Sequence, residues 1–218
     1  MAVSLGASVH ANTTATVTSL ATNLTTQSNF GVLLLFATIN FAGAATVTVA
    51  SSSLGSWPQR AAPIIVPSTG GFYYFAVPFT RQLPGEVITL SIAGTSSTFL
   101  TIDIVEVAGA NNAAPFDNAA LPVTQLGADP IALTTNNAQD FLVGAFRMTS
   151  VQSPTAGAGW TRISGGNLQL VEYQIVNQTQ SNLSATIGTG VGDATACIAD
   201  AAVAFVPGPP GTFFSNTF

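Results

Sequence analysis

The chain is written largely in short alternations of apolar and polar residues. Ala15-Thr16-Val17-Thr18, Thr46-Val47-Thr48-Val49 and Val87-Ile88-Thr89-Leu90-Ser91-Ile92 each repeat with a period of two, the signature of strands with one face in a core and the other in water. Clusters of Gly, Pro, Asn and Ser separate these runs at the spacing of a sandwich or barrel. No stretch sustains a 3.6-residue period with caps, and the strong helix formers Lys and Glu are absent or scarce, so little helix is predicted. Residues 31–50, GVLLLFATINFAGAATVTVA, are long and apolar enough to span a bilayer. Asn40 at their centre, the β-branched second half and the lack of flanking Arg or Lys argue against a span. Two strands joined near Phe41-Ala42-Gly43-Ala44 account for the same residues.

The order of features occurs twice. The first half carries Asn29-Phe30-Gly31-Val32-Leu33-Leu34, then Gly55-Ser56-Trp57-Pro58-Gln59-Arg60, then Ser68-Thr69-Gly70-Gly71 leading into Phe72-Tyr73-Tyr74-Phe75. The second carries Asp140-Phe141-Leu142-Val143-Gly144-Ala145, then Gly159-Trp160-Thr161-Arg162, then Ser164-Gly165-Gly166 leading into Leu168-Gln169-Leu170-Val171-Glu172-Tyr173. Each half closes on an apolar strand bearing one acid, Asp103 in Thr101-Ile102-Asp103-Ile104-Val105 and Asp200 in Ile198-Ala199-Asp200-Ala201-Ala202. Matching order with differing loop lengths is how duplicated units drift. An all-β chain of two tandem antiparallel β-sandwiches is therefore predicted, over residues 1–114 and 115–207. The join lies in the aperiodic, turn-rich residues 109–120. Residues 208–218 form a Pro/Gly spacer and a tail holding Phe213, Phe214 and Phe218. The spacer is expected to be extended, and the tail either folds back on its own domain or docks on another subunit.

Composition sharpens this picture. Charged residues make up 6% of the chain, against about 25% in an ordinary soluble domain. All four basic residues are arginines, Arg60, Arg81, Arg147 and Arg162. Neutral polar side chains fill the remaining surface positions, and these desolvate more cheaply than ions when a neighbour docks. That is the surface of a building block. A net charge of −5 with no basic patch argues against nucleic acid. The N-terminus lacks a basic region followed by an apolar core, so it reads as mature protein. The sequons at Asn12, Asn23, Asn177 and Asn182 are those expected by chance in a Thr/Ser-rich chain.

Little catalytic chemistry is on offer. His10 and Cys197 are the sole histidine and cysteine, so neither a His–His metal pair nor a Cys–His dyad presents itself, and no G-x-S-x-G elbow occurs. His10 reads as an exposed histidine and Cys197 as a buried free thiol. Asp103 and Glu106 lie three apart, on opposite faces of one strand, and read as solvent-facing or arginine-paired acids at strand ends. The equivalence of Asp103 and Asp200 favours a structural role, pairing with Arg60 and Arg162 or capping a turn. Residues 188–193, GTGVGD, read as a hairpin turn, since a dinucleotide loop needs other spacing and a following helix. Asn111, Asn112, Asp117 and Asn118 offer calcium-type oxygens without Asp-x-Asp-x-Asp spacing, which favours an ordinary linker. Alternation in Phe72-Tyr73-Tyr74-Phe75 buries two rings and exposes two. No catalytic residue, cofactor or metal is expected.

Gly159-Trp160-Thr161, Val171-Glu172-Tyr173 and the Ala/Val-rich run from Ala199 to Phe205 resemble a small jelly-roll-like β-sandwich module of bacteriophage virion proteins. The first half fits more loosely, with Pro58 in place of the threonine and Phe75 where the glutamate would stand. The resemblance implies a non-enzymatic structural protein of the virion, a decoration, collar, tail or fibre component made in the host cytoplasm. Its partners would be other virion proteins and further copies of itself, without nucleic acid or membrane. Phe213, Phe214 and Phe218 are then the candidate docking residues. Two other readings stay open. A module binding surface glycans would show an exposed row of Tyr73, Trp57 or Trp160, and a self-assembling cell-surface filament subunit would show an open sheet edge.

Overall fold

The computed structural model of the chain describes residues 2–41, 45–117, 120–149, 154–166, 168–188 and 194–206. Strands account for every regular element among them. The first nine are β1 (Ser4–Thr13), β2 (Ser19–Leu24), β3 (Gly31–Asn40), β4 (Thr46–Ser51), β5 (Gly55–Trp57), β6 (Ile64–Val66), β7 (Gly70–Phe79), β8 (Glu86–Ala93) and β9 (Phe99–Ala108). Seven more follow: β10 (Val123–Leu126), β11 (Ile131–Leu133), β12 (Asp140–Met148), β13 (Thr161–Gly166), β14 (Gln169–Val176), β15 (Leu183–Ala185) and β16 (Ala194–Val203). No helix among the described residues is long and apolar enough to cross a membrane.

The pairing is nested. β1 pairs with β9, β2 with β8 and β3 with β7, all antiparallel, as in one long hairpin wound around itself. β1, β9, β3, β7 and β6 form one sheet, and β2, β8, β4 and β5 the other, the wiring of a jelly roll. The second half repeats it, with β10 on β16, β11 on β15 and β12 on β14. Its large sheet runs β10-β16-β12-β14-β13, in the same order as the first, and among the described residues it is covered by β11 and β15, with a further bridge between Ala156 and Ile187.

The two five-stranded sheets pack face to face, giving four layers. In β3, Val32, Leu34 and Phe36 enter a central core shared with Phe141, Val143 and Ala145 of β12 and with Ala196, Ile198 and Ala202 of β16. Leu33, Leu35, Ala37 and Ile39 enter an outer core under β4 and β8. Leu142, Phe146 and Met148 of β12 enter the opposite outer core. Both parities of these strands are therefore apolar, and the sequence of β3 shows an unbroken apolar run instead of an alternation. β2, β4 and β8, with water on one face, keep the period of two.

Within the central layer, aromatic rings from both halves meet small residues. Phe36 stacks on Tyr74 at 4.5 Å between centroids, and Ala145, Ala196 and Ala202 lie in the same cluster. Interdigitating large with small residues fills such a layer without strain. β1 lies against β13 and β6 against β10. Since β1 corresponds to β10 and β6 to β13 in the two sheet orders, the halves are related by a pseudo-two-fold axis.

This layering corrects one expectation. All four rings of Phe72-Tyr73-Tyr74-Phe75 are buried, because β7 is covered on both faces. Phe72 and Tyr74 enter the central core, and Tyr73 and Phe75 the outer one. Trp57 and Trp160 are buried as well, in the first and second outer cores. Their indole N–H groups donate to Ser51 Oγ and to the Ser184 carbonyl, each at 3.0 Å. The strand register also places Tyr73, not Phe75, in the position of Glu172: Tyr73 pairs with Ala37, which pairs on its other side with Ile102, as Glu172 pairs with Gly144 and Gly144 with Ala199. Ala42, Gly43 and Ala44 of the expected turn, most of the expected hairpin at 188–193, and Asn118 lie outside the described residues.

Trp160→Ala is expected to lower stability by about 3–5 kcal/mol, read from urea unfolding. Because both halves contribute to the central core, the loss should shift one cooperative transition. A separate early transition of the second half would contradict the shared core.

Candidate functional site

The polar groups inside the molecule are the first place to look for chemistry, since buried charge must be compensated. Asp103 and Asp200 occupy equivalent positions, Asp103 opposite Phe36 on β3 and Asp200 opposite Val143 on β12. Each points into the central layer and is reached from the other half. Arg60 donates from Nε and Nη2 to the two Asp200 oxygens at 3.0 and 3.3 Å, and Tyr74 OH donates to Asp200 at 3.0 Å. Arg60 also donates to the Leu121 carbonyl at 3.0 Å and lies 3.8 Å over the Phe116 ring. Burial pushes the Asp200 carboxyl up, against the pull of Arg60. Removing one member of such a pair strands a buried charge, at a cost of about 3–5 kcal/mol.

Asp103 is held differently. Gln169 of β14 donates to its Oδ2 at 2.5 Å and to the Phe36 carbonyl at 3.1 Å. His10 Nδ1 lies 2.7 Å from its Oδ1. The sequence expectation of an exposed histidine is thus corrected: β1 runs beside β9 with His10 in register with Asp103. The hydrogen bond to Asp103 raises the His10 pKa, against desolvation and the charge of Arg162. The Asn12 amide sits 3.0 Å from His10 Nε2. A flip of that amide offers nitrogen to the neutral ring or oxygen to the protonated one.

Glu106 also departs from the expectation of a solvent-facing acid. It is fully buried and accepts from the Ala7, Gln27 and Ser28 amides at 2.7, 2.8 and 2.9 Å and from Ser28 Oγ at 2.6 Å. A Cβ on Gly6 would fall 2.4 Å from the Glu106 carboxyl, so glycine at position 6 makes room for it. Four donors compensate this carboxylate without a cation. They also fold residues 25–30 over the end of β9.

Two of the residues weighed for calcium, Asn111 and Asp117, are engaged in loops. Asn111 Oδ1 accepts from the Ala113 and Ala114 amides at 3.2 and 3.4 Å. Asp117 accepts from the Asn136 and Asn137 amides at 2.5 and 3.0 Å and from the Asn137 side chain. Among the described residues no group of three or more His, Cys, Asp and Glu could hold a metal ion. Cys197 is a buried free thiol, pushed up to about 12 by burial. Asp103 and Glu106 face different layers, as their spacing requires.

The Glu106 loop helps build a rim with grooves on it. Phe30, carried by this loop, packs edge-on against Phe205 at 5.6 Å. The Phe205 amide donates to the Gly109 carbonyl and the Ala204 amide to the Gln139 carbonyl, so the chain leaves between loops of both halves. A groove of about 480 Å³ is lined by Leu5, Gly6, Gln27, Asn29 and Phe30 among others. A second of about 370 Å³ is lined by Asn29, Phe30, Thr80, Asn112 and Phe205. A third of about 250 Å³ is lined by Asn137, Ala138, Gln139, Val203, Ala204 and Val206. No ionisable side chain lines any of them, and Val206 is 76% exposed. Sequence reasoning did not single out Phe30, Asn112 or Phe205 as a group, since only the fold brings them together. Phe213, Phe214 and Phe218 lie outside the described residues.

No family model, curated protein or solved structure matches the chain. Its own geometry is what there is to read.

Two outcomes follow from the buried carboxylates. Glu106→Gln places an amide N–H among four donors and is expected to cost about 2–3 kcal/mol, with exchange protection lost first at residues 25–30. Stability should also fall as pH rises. Burial pushes Asp140 and Glu172 from ordinary values of 3.8 and 4.5 up to about 7, so between those values the folded state holds protons that the unfolded chain releases. The His10–Asp103 pair contributes fully below 6.5 and is lost as pH passes through the raised His10 pKa. The melting temperature is expected to be higher at pH 5 than at pH 8, and His10→Asn to flatten the slope above 6.5. A profile rising with pH would refute both assignments.

Proposed function

We propose that this chain is a non-enzymatic structural subunit of a bacteriophage virion, a decoration, collar, tail or fibre component that assembles with itself and with other virion proteins. The observation that carries the reading is the rim at which the chain leaves its body. Val206 lies exposed between uncharged, amide-rich grooves, and residues 207–218 after it contain no ionisable side chain and end in a Phe-rich run. Neutral surfaces with aromatic anchors suit association, because little charge has to be desolvated. A chain of 6% charged residues whose buried acids Glu106 and Asp200 are spent on internal contacts fits a scaffold role. The glycan alternative loses its stated support, since Tyr73, Trp57 and Trp160 all lie in cores.

Light scattering behind size exclusion, with and without residues 212–218, tests the reading. The full chain should form a defined oligomer that falls to a folded monomer on truncation. An oligomer unchanged by truncation would overturn the arm.

A further inference from the structure

We propose that the Phe-rich arm of one copy seats in the groove formed by Asn29, Phe30, Thr80, Asn112 and Phe205 of a second copy. This rests on reading the chain as an arm-linked subunit and names the receptor that the reading leaves open.

The groove has the right chemistry for such an occupant. Phe30 and Phe205 already meet edge to face at 5.6 Å, and a third ring extends that arrangement favourably. Asn29 and Asn112 add side-chain amides that can bond to a peptide backbone, and Thr80 adds a hydroxyl. The walls are held in place before anything docks. Glu106 fixes the loop carrying Asn29 and Phe30 through Gln27 and Ser28, and the Phe205 amide is tied to Gly109 at 2.9 Å. A preformed receptor spares the cost of ordering on binding.

Charge and reach select the occupant. Each copy carries a net charge of −5, yet neither the groove nor residues 207–218 contain an ionisable side chain. Copies therefore meet through their uncharged parts. Phe205, the residue before the exposed Val206, lines the groove, so the chain's own arm starts at the groove's edge. The composition Pro207-Gly208-Pro209-Pro210-Gly211 favours an extended chain of roughly 3.1 Å per residue. At that rise residues 207–213 are long enough to span roughly 20 Å, enough to bridge to a groove on another copy.

The test uses the full-length chain, its Thr80→Arg variant and a synthetic peptide of residues 207–218. Thr80 is exposed at the end of β7, so arginine there blocks the groove without entering a core. Asn112→Trp blocks the same groove from a different loop and serves if the first variant misfolds. Both should keep the wild-type β-sheet circular dichroism spectrum yet weaken association by about tenfold or more. The peptide should dissociate the wild-type oligomer and fail to bind either variant. If truncation of residues 212–218 dissociates the oligomer while both groove variants retain it, the arm reading stands and this receptor is wrong. A full chain that stays monomeric, or an oligomer indifferent to truncation, overturns both. A monomer that admits the peptide only after its own arm is removed overturns docking between copies.

Discussion

The structure depends on one condition: both large sheets are covered on both faces. β3, β7, β9, β12 and β16 have no side exposed to water along most of their length. Burying a large apolar side chain is worth about 1.5–3 kcal/mol, and the central layer gathers such residues from both halves. The ion pair between Arg60 and Asp200 adds little net stability by comparison, because desolvation cancels most of the attraction. Its effect is directional. A bidentate guanidinium and a tyrosine hydroxyl are satisfied in one alignment of the two sheets, whereas apolar contact alone would tolerate a slide.

The same condition explains which parts of the fold could be read from the sequence. β4 and β8 were legible because water on one face enforces alternation. β3 was not, since both of its faces are apolar, and its run with the following residues had the length of a membrane span. Parity placed Asp103 and Glu106 on opposite faces. Their surroundings were misread because a second sheet over the first leaves no local trace in sequence. His10 could not be paired from sequence either, its partner being 93 residues away. The repeated order of tryptophan, arginine and closing acid was readable, and the two sheets share one strand order. The rim grooves had no sequence signal. Phe30 belongs to the β2–β3 connection and Phe205 follows β16, and only the nested pairing puts them side by side.

Glu106 links core and rim. A carboxylate buried under β1 is an unusual way to hold a loop, yet it gathers amides from two segments of chain where water would otherwise enter. Asp103 and Asp200 divide a related task unequally. One is bound by a permanent cation, and the other by a histidine that titrates. A symmetric pair of identical subunits would have to use the same solution twice. Joining the halves in one chain released that constraint.

The outer layers differ as well. Among the described residues, one large sheet carries a four-stranded cover and the other the β11–β15 pair extended by the Ala156–Ile187 bridge, so the two ends of the stack are unlike. Copies meeting across unlike surfaces associate head to tail, and such contacts either close into rings or continue as filaments. The unlike covers of the two halves thus give the stack a polarity that its inner pseudo-two-fold lacks, and any array built along the stacking direction would have a direction of its own.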